Sequence, residues 1–191
     1  MSKTATKQEP NGTDAATALM PLVGTVEEGR ATIGKKSDVY TAELEIDLPM
    51  SQIFCGHIKD ANPSFWDPEF ANEAWGGLIA PGGLLNTFGK AVPWRPGGGV
   101  QRRNIAMDVP LPGATTINSS TETEFFKPLM IGERLSAYDE VVDISPEKTT
   151  RLGRGHFVTI VCNYLNSKGE LVARNTNSIF RFNPHPTESK A

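Results

Sequence analysis

The spacing of apolar residues divides the chain into two parts. From Ile46 to Val92 the apolar residues follow patterns typical of helices and loops. From Arg103 to Phe182 β-branched and aromatic residues form long runs, which are typical of strands. The pattern therefore predicts a helical part followed by a β-rich part.

Two helices are predicted early in the first part. Apolar residues recur at the i, i+3, i+4, i+8 spacing of an amphipathic helix from Met50 onward, and this helix should end near Asp60. Asp67 and Pro68 are typical of the N-cap and first position of a second, short helix that runs to about Ala74.

A third and more buried helix is predicted from the apolar residues between Leu84 and Val92. It opens after Pro81, Gly82 and Gly83. The first N–H groups of a helix have no partner within it, and glycines leave them uncovered. This turn is therefore a candidate ligand-binding position.

The second part predicts an antiparallel sheet. Its strands are predicted at Thr115 to Phe126, Arg134 to Val142, His156 to Leu165 and Leu171 to Phe182. Asn166 to Gly169 and Ser145 to Lys148 have the composition of turns, so successive strands form hairpins. A sheet with one apolar helix predicts an α+β fold in which the helix covers one face of the sheet.

The chain of 191 residues has the length of one domain. Residues 1–18 contain almost no apolar side chains, which predicts a disordered N-terminal tail. The folded domain is expected at residues 19–182, followed by a tail at residues 183–191 that contains two prolines.

Composition excludes several classes of function. A net charge of −3 with intermixed acidic and basic residues argues against nucleic-acid binding, and no apolar run reaches the length of a membrane span. Cys55 and Cys162 lie in apolar stretches, which predicts two buried thiols, a cytoplasmic location and no metal site. Gly97 to Gly99 lacks the residues of a nucleotide-binding loop, so no cofactor is expected.

Several separated motifs follow one another in a recognisable order. They are Asp60-Ala61-Asn62-Pro63, the glycine-bearing segment from Gly76 to Leu85, Glu124 to Leu129, Gly132 to Leu135, and Phe157 to Thr159 leading to Arg181. In these motifs the chain resembles the MaoC-like hydratase/dehydratase family, and most of all the variant that forms the N-terminal half of double-hot-dog dehydratases. The resemblance covers roughly residues 20–182. It implies a single hot-dog domain, in which an antiparallel sheet wraps around a central helix.

The resemblance also implies roles for individual residues. Active family members use an Asp and a His five residues later to hold the water that adds to, or leaves from, the β-carbon of an acyl thioester. Asp60 matches the Asp, Asn62 matches the substrate loop, and Gly82 or Gly83 matches the glycine whose N–H faces the thioester carbonyl. The His position is Phe65. A phenyl ring transfers no proton, so the dyad is incomplete.

Other readings of the same residues stay open. Asp60 has equal support as the cap of a turn. His57, one helical turn earlier, is a minority candidate for a relocated base, while His156 and His185 have structural explanations. Trp66, Trp75 and Trp94 fit core or interface positions better than substrate contacts. Arg102 and Arg103 fit a solvated pair better than a site for coenzyme A phosphates.

Three functions follow from these observations. The first is a subunit that pairs with a catalytic MaoC-like hot-dog chain to hydrate enoyl-CoA or dehydrate 3-hydroxyacyl-CoA, and that shapes the tunnel for the acyl group. The second is a stand-alone homodimeric hydratase that uses Asp60 with water or His57. The third is a non-catalytic module that binds acyl-CoA thioesters. A hot-dog thioesterase would need a carboxylate on the central helix, and none occurs between Gly82 and Val92.

Overall fold

The computed structural model describes residues 20–92, 96 and 104–185. Its helices are α1 (Val26–Arg30), α2 (Leu48–Ile58), α3 (Pro68–Trp75) and α4 (Leu85–Phe88), with 3₁₀ turns at Pro63–Phe65, Gly82–Leu84 and Ile105–Asp108. Its strands are β1 (Tyr40–Thr41), β2 (Ile79–Ala80), β3 (Thr115–Phe125), β4 (Leu129–Met130), β5 (Ser136–Ile144), β6 (Lys148–Thr149), β7 (Gly153–Leu165) and β8 (Leu171–Pro184).

The long strands form one antiparallel sheet in the order β1-β5-β7-β8-β3, with β6 paired to β7. The strands β2 and β4 form a separate two-stranded sheet. The turn between β7 and β8 has the predicted hairpin geometry, because Asn166 Oδ1 accepts the N–H groups of Lys168 and Glu170, both at 3.0 Å. Gly169 completes the turn at a φ of 76°.

The first two predicted helices are confirmed, and side-chain caps explain where they begin. Asp47 accepts the N–H of Met50 at 2.7 Å ahead of α2, which ends at Lys59 in the left-handed conformation. Asp67 caps α3 by accepting the N–H groups of Glu69 and Phe70.

The third helix is shorter than its apolar pattern predicts. It ends at Phe88 rather than at Val92, with Gly89 as its C-cap. A Cβ at Gly89 would lie 2.3 Å from Cε1 of Tyr164, so glycine lets the chain approach that ring. The residue before Pro93 is also disfavoured in helical conformation, which opposes continuation to Val92.

The core consists of two clusters of buried apolar residues. The first surrounds the short central helix: Ile46, Ala80, Leu84, Leu85, Phe88, Leu129, Leu135, Ala137, Cys162, Tyr164, Val172 and Ala173. The second lies under the Ile105–Asp108 turn: Ile105, Ala106, Val109, Leu111, Val141, Ile144, Val158, Ile160 and Ile179. Cys55 and Cys162 are both buried free thiols, as expected.

Several sequence predictions concern residues outside the described ranges. These residues are the tail at 1–18, Trp94, Gly97 to Gly99, Arg102 and Arg103. At the C-terminal end, β8 continues to Pro184, two residues beyond the expected end of the domain. Over the ranges that are described, no helix has the length and apolar character needed to cross a membrane.

Candidate functional site

Asp60 lies in the turn that ends α2. Its N–H donates to the carbonyl of Cys55 at 2.9 Å, after Lys59 has closed the helix. Its Oδ1 accepts the N–H of Asn62 at 3.0 Å. The carboxylate therefore caps its own turn, which is the structural role expected as one of its two readings.

The loop after Asp60 is fixed by further side-chain contacts. Asn62 Oδ1 accepts the N–H of Ser64 at 3.0 Å and so caps the 3₁₀ turn. Trp66 Nε1 donates to the carbonyl of Asp60 at 2.8 Å, and Trp75 Nε1 donates to Ser64 Oγ at 2.9 Å. The two indoles thus hold the loop in place while much of each ring stays exposed.

Phe65 occupies the position at which the resemblance places the histidine of the dyad. Its side chain is 7% exposed and therefore belongs to the packed interior. The sequence places a phenylalanine at the position where the resemblance expects the histidine. The structure adds that a buried ring stands at this position.

A shallow surface concavity opens beside Asp60. It is lined by Asp60 together with Cys55, Gly56, Lys59, Ala61, Pro63, Trp66 and Asp67. Burial raises the pKa of the Cys55 thiol above its usual value, and the nearby Asp60 carboxylate raises it further. The thiol therefore stays protonated at neutral pH and is a poor nucleophile.

Gly82 and Gly83 form the turn that leads into α4, as expected. A Cβ at Gly82 would lie 2.7 Å from the Cζ of Phe125, and one at Gly83 would lie 3.0 Å from the Cζ of Phe54. Glycine lets these two rings approach the backbone closely, and a larger residue at either position would require its ring to shift. Neither glycine lines the concavity beside Asp60. The concavity therefore does not bring together the two parts of the expected site.

All three histidines of the chain are described. His57 is exposed on α2 and does not line the concavity beside Asp60. Nδ1 of His156 lies 2.9 Å from the carbonyl of Ser145, and Nε2 of His185 lies 2.9 Å from the carbonyl of Thr150. No histidine therefore lines the concavity together with Asp60.

Among the described residues, no three His, Cys, Asp or Glu side chains come close enough together to hold a metal ion.

A second concave site was not predicted from the sequence. It is a cavity of about 490 Å³ on the face of the sheet that packs against α4. Its lining comes from α4 and the following residues, from Asn104, and from four strands: Asn86, Lys90, Ala91, Asn104, Asn118, Thr121, Asp139, Ile160, Cys162, Tyr164, Asn175, Asn177 and Ile179. We refer to this site as the sheet cavity. Its volume is that of a small-molecule site.

Strand β3 forms one edge of the main sheet. Within the described ranges it pairs with β8 alone, and nearly all of its 11 residues are exposed. A long exposed edge presents a row of unpaired backbone N–H and C=O groups. Ile117 on this strand is 46% exposed. The edge is therefore a natural place for another strand to pair.

Comparisons with known proteins extend over most of the chain. The family model described as FAS1-like, dehydratase domain region matches residues 31–175. A probable enoyl-CoA hydratase alpha subunit of Thermomonospora curvata is 28% identical over 149 residues, which cover 75% of this chain and 47% of that protein. The chain thus spans about half the length of this curated relative.

Two solved structures are similar in fold. A chain of the ChsH1-ChsH2 complex from Mycobacterium tuberculosis has a TM-score of 0.65 at 21% identity, with 92% of this chain and 95% of that chain covered. A MaoC-like dehydratase from Rhodospirillum rubrum has a TM-score of 0.53 at 25% identity, with 81% and 94% covered. These likenesses confirm the expected α+β architecture.

Proposed function

We propose that this chain, which belongs to the FAS1-like dehydratase family of MaoC-like hot-dog proteins, is a subunit of an acyl-thioester hydratase or dehydratase. It is the half without a complete Asp/His dyad, and it pairs with a catalytic MaoC-like subunit that hydrates enoyl-CoA or dehydrates 3-hydroxyacyl-CoA. The observation that carries this proposal is the buried ring of Phe65, five residues after Asp60.

The chemistry requires two proton transfers. Hydration removes a proton from water as the oxygen adds to the β-carbon, and a proton is delivered to the α-carbon. Asp60 has one carboxylate for this work, and one of its oxygens already accepts the N–H of Asn62. No histidine lines the concavity beside it. These facts favour a catalytic dyad supplied by a partner chain.

Two features fit a role in binding the thioester. Gly82 and Gly83 open the 3₁₀ turn before α4, where no side chain caps the first N–H groups, and the rings of Phe125 and Phe54 lie close to their α-carbons. Such N–H groups are suited to the carbonyl oxygen of a thioester. The sheet cavity then has the size to take the acyl group. Asn62 is retained in this proposal as a substrate contact on the loop after Asp60.

The open edge of β3 supports pairing with a second hot-dog chain. Pairing there would satisfy backbone groups that the monomer leaves at the edge of its sheet. The names of the similar proteins agree with an assembly, since the Thermomonospora relative is an alpha subunit and the mycobacterial structure is a complex.

The test is hydration of a panel of enoyl-CoA esters by the purified chain, alone and mixed with the MaoC-like chain encoded beside it. We expect turnover in the mixture only. Asp60→Asn should leave the rate of the mixture within about twofold of wild type, because Asn retains the oxygen that caps the turn and loses only the charge. Asp67→Asn, which keeps the cap of α3 in the same way, is the matched control.

Other outcomes identify the alternatives. Turnover by the chain alone that Asp60→Asn abolishes would contradict the two-subunit model and support a homodimeric hydratase. Binding of acyl-CoA with no effect on the rate of any partner would support a non-catalytic binding module.

A further inference from the structure

We propose that the sheet cavity selects an acyl group that carries hydroxyl or oxo groups away from its thioester end, rather than a plain hydrocarbon chain. This inference rests on the proposed function. It names the chemical class of substrate by the groups that line the cavity.

The inward face of β8 shows the basis of this selection. Alternate residues of a strand share one face of the sheet. On β8 these are Ala173, Asn175, Asn177 and Ile179 in succession. Ala173 belongs to the first apolar cluster and Ile179 to the second, so the two asparagines lie between the clusters.

The polar residues continue across the neighbouring strands. On β3, Thr123 pairs with Asn175 and Thr121 pairs with Asn177. On β5, Asp139 pairs with Cys162, which itself pairs with Asn175. A band of polar side chains therefore spans β3 and β8 between two apolar regions, and Cys162 of the first apolar cluster separates it from Asp139 on β5. We call it the polar band.

Hydrogen bonds order the polar band. Asn118 Nδ2 donates to Thr121 Oγ1 at 2.8 Å, and Thr121 Oγ1 donates to Asn177 Oδ1 at 2.8 Å. Asn177 Nδ2 donates to Asn175 Oδ1, and Asn175 Nδ2 donates to Thr123 Oγ1 at 2.6 Å. Each asparagine Nδ2 uses one of its two hydrogens in these bonds. The second hydrogen of Asn177 remains for a ligand, because this side chain lines the cavity.

The balance of polar and apolar lining determines which ligand fits. A hydrocarbon chain would remove water from the amides and hydroxyls without replacing their hydrogen bonds, which disfavours its binding. A hydroxyl or oxo group replaces that water. Ile160 and Ile179 offer apolar contact to the carbon skeleton beside it. A site built in this way discriminates strongly against a substrate that lacks the polar group.

The first test measures binding with wild-type protein. The probes are saturated, non-reacting acyl-CoA esters of equal length, straight-chain and ring-bearing, each with and without a distal hydroxyl or oxo group. Titration calorimetry on the full chain, alone and with its partner, should give a Kd about tenfold lower for at least one oxygenated ester than for its hydrocarbon counterpart. Equal Kd values for every pair would overturn the inference.

Asn177→Leu provides the second test, because it removes the amide at nearly constant size. We expect it to weaken binding of the oxygenated ester about tenfold and to leave the hydrocarbon ester unchanged or tighter. Thr176→Val is the matched control, since Thr176 is the neighbouring residue on the opposite face of β8. Equal losses for both esters in Asn177→Leu would indicate a purely structural polar band and overturn the inference.

The two proposals fail separately. A binding preference without hydration by any subunit mixture would leave this inference standing and remove the proposed function. Hydration by the mixture with equal binding of the paired esters would support the proposed function and overturn the inference about the sheet cavity. If Asn177→Leu proves unfolded by circular dichroism, the wild-type comparison decides alone.

Discussion

Replacing Arg181 with methionine should lower the free energy of unfolding by about 3 to 5 kcal/mol. The side chain is fully buried, and its described partners are all carbonyl oxygens. Its guanidinium donates to Leu22 at 2.8 Å, to Gly113 at 3.0 Å, to Val109 at 3.1 Å and to Leu111 at 3.4 Å. It thereby joins β8 to the segment at Leu22 and to the segment at residues 109–113, neither of which is a strand of the main sheet.

The expected loss in free energy of unfolding is large because the substitution leaves buried carbonyl groups without a hydrogen-bond donor. Methionine fills similar space but donates no hydrogen bond, so several carbonyl groups would lose a charged donor in a buried region. Burial lowers the pKa of Arg181 from its usual value, yet arginine remains charged at neutral pH. The substitution therefore removes a charged, multiply bonded donor rather than a neutral one.

Urea unfolding measures this change. Arg174→Met is the matched control, because Arg174 lies exposed on the same strand, with one side-chain bond of 3.3 Å to Asn163 and its guanidinium 5.6 Å from the ring of Phe126. It should cost about 1 kcal/mol or less. Equal losses in the two variants would show that Arg181 has no special role in joining the segments.

If the proposed pairing with a catalytic subunit uses the β3 edge, Ile117→Lys should weaken that association about 100-fold and should abolish hydration at concentrations where the wild-type mixture is fully active. Ile117 lies on β3, and its side chain is 46% exposed in the single chain. If a partner strand pairs with this edge, it would also cover part of the Ile117 side chain, so the ammonium group of a lysine there would lose part of its hydration. Lysine on edge strands is also a common device against edge pairing.

Leu152→Lys is the control for this prediction. Leu152 is another exposed apolar residue, at 41%, but it lies in the turn between β6 and β7. Both variants should unfold at the wild-type urea midpoint, because neither side chain is buried. Sedimentation velocity with a titration of partner against activity gives the affinity. Unchanged affinity for Ile117→Lys would place the interface elsewhere on the chain.

Local signals in the sequence predict most of the secondary structure. The strand predicted at Thr115 to Phe126 is observed at Thr115–Phe125, and the helix expected after Asp67 is observed at Pro68–Trp75. These elements were predictable because their determinants lie within a few residues: β-branched runs, carboxylate caps, and prolines at first helical positions. The helix α1 was missed, although its capping box of Thr25 and Glu28 was a usable signal.

The features that depend on packing between distant residues were not predictable in the same way. The central helix ends early because Gly89 lies against Tyr164, which is 75 positions away in the chain. The polar band was missed because β8 carries polar residues on both faces, among them Arg174 and Thr176 on one and Asn175 and Asn177 on the other. Only the strand register shows which face is turned inward.

The buried position of Phe65 has an evolutionary consequence. A histidine introduced there would put an imidazole where the fold now holds a phenyl ring that is only 7% exposed. Its two nitrogens would need partners in that interior, or the variant would lose stability. A histidine at this position would thus need further substitutions that supply partners for its ring nitrogens. Under the proposed function, selection for a stable fold would then oppose the return of a base and keep this chain dependent on a catalytic partner.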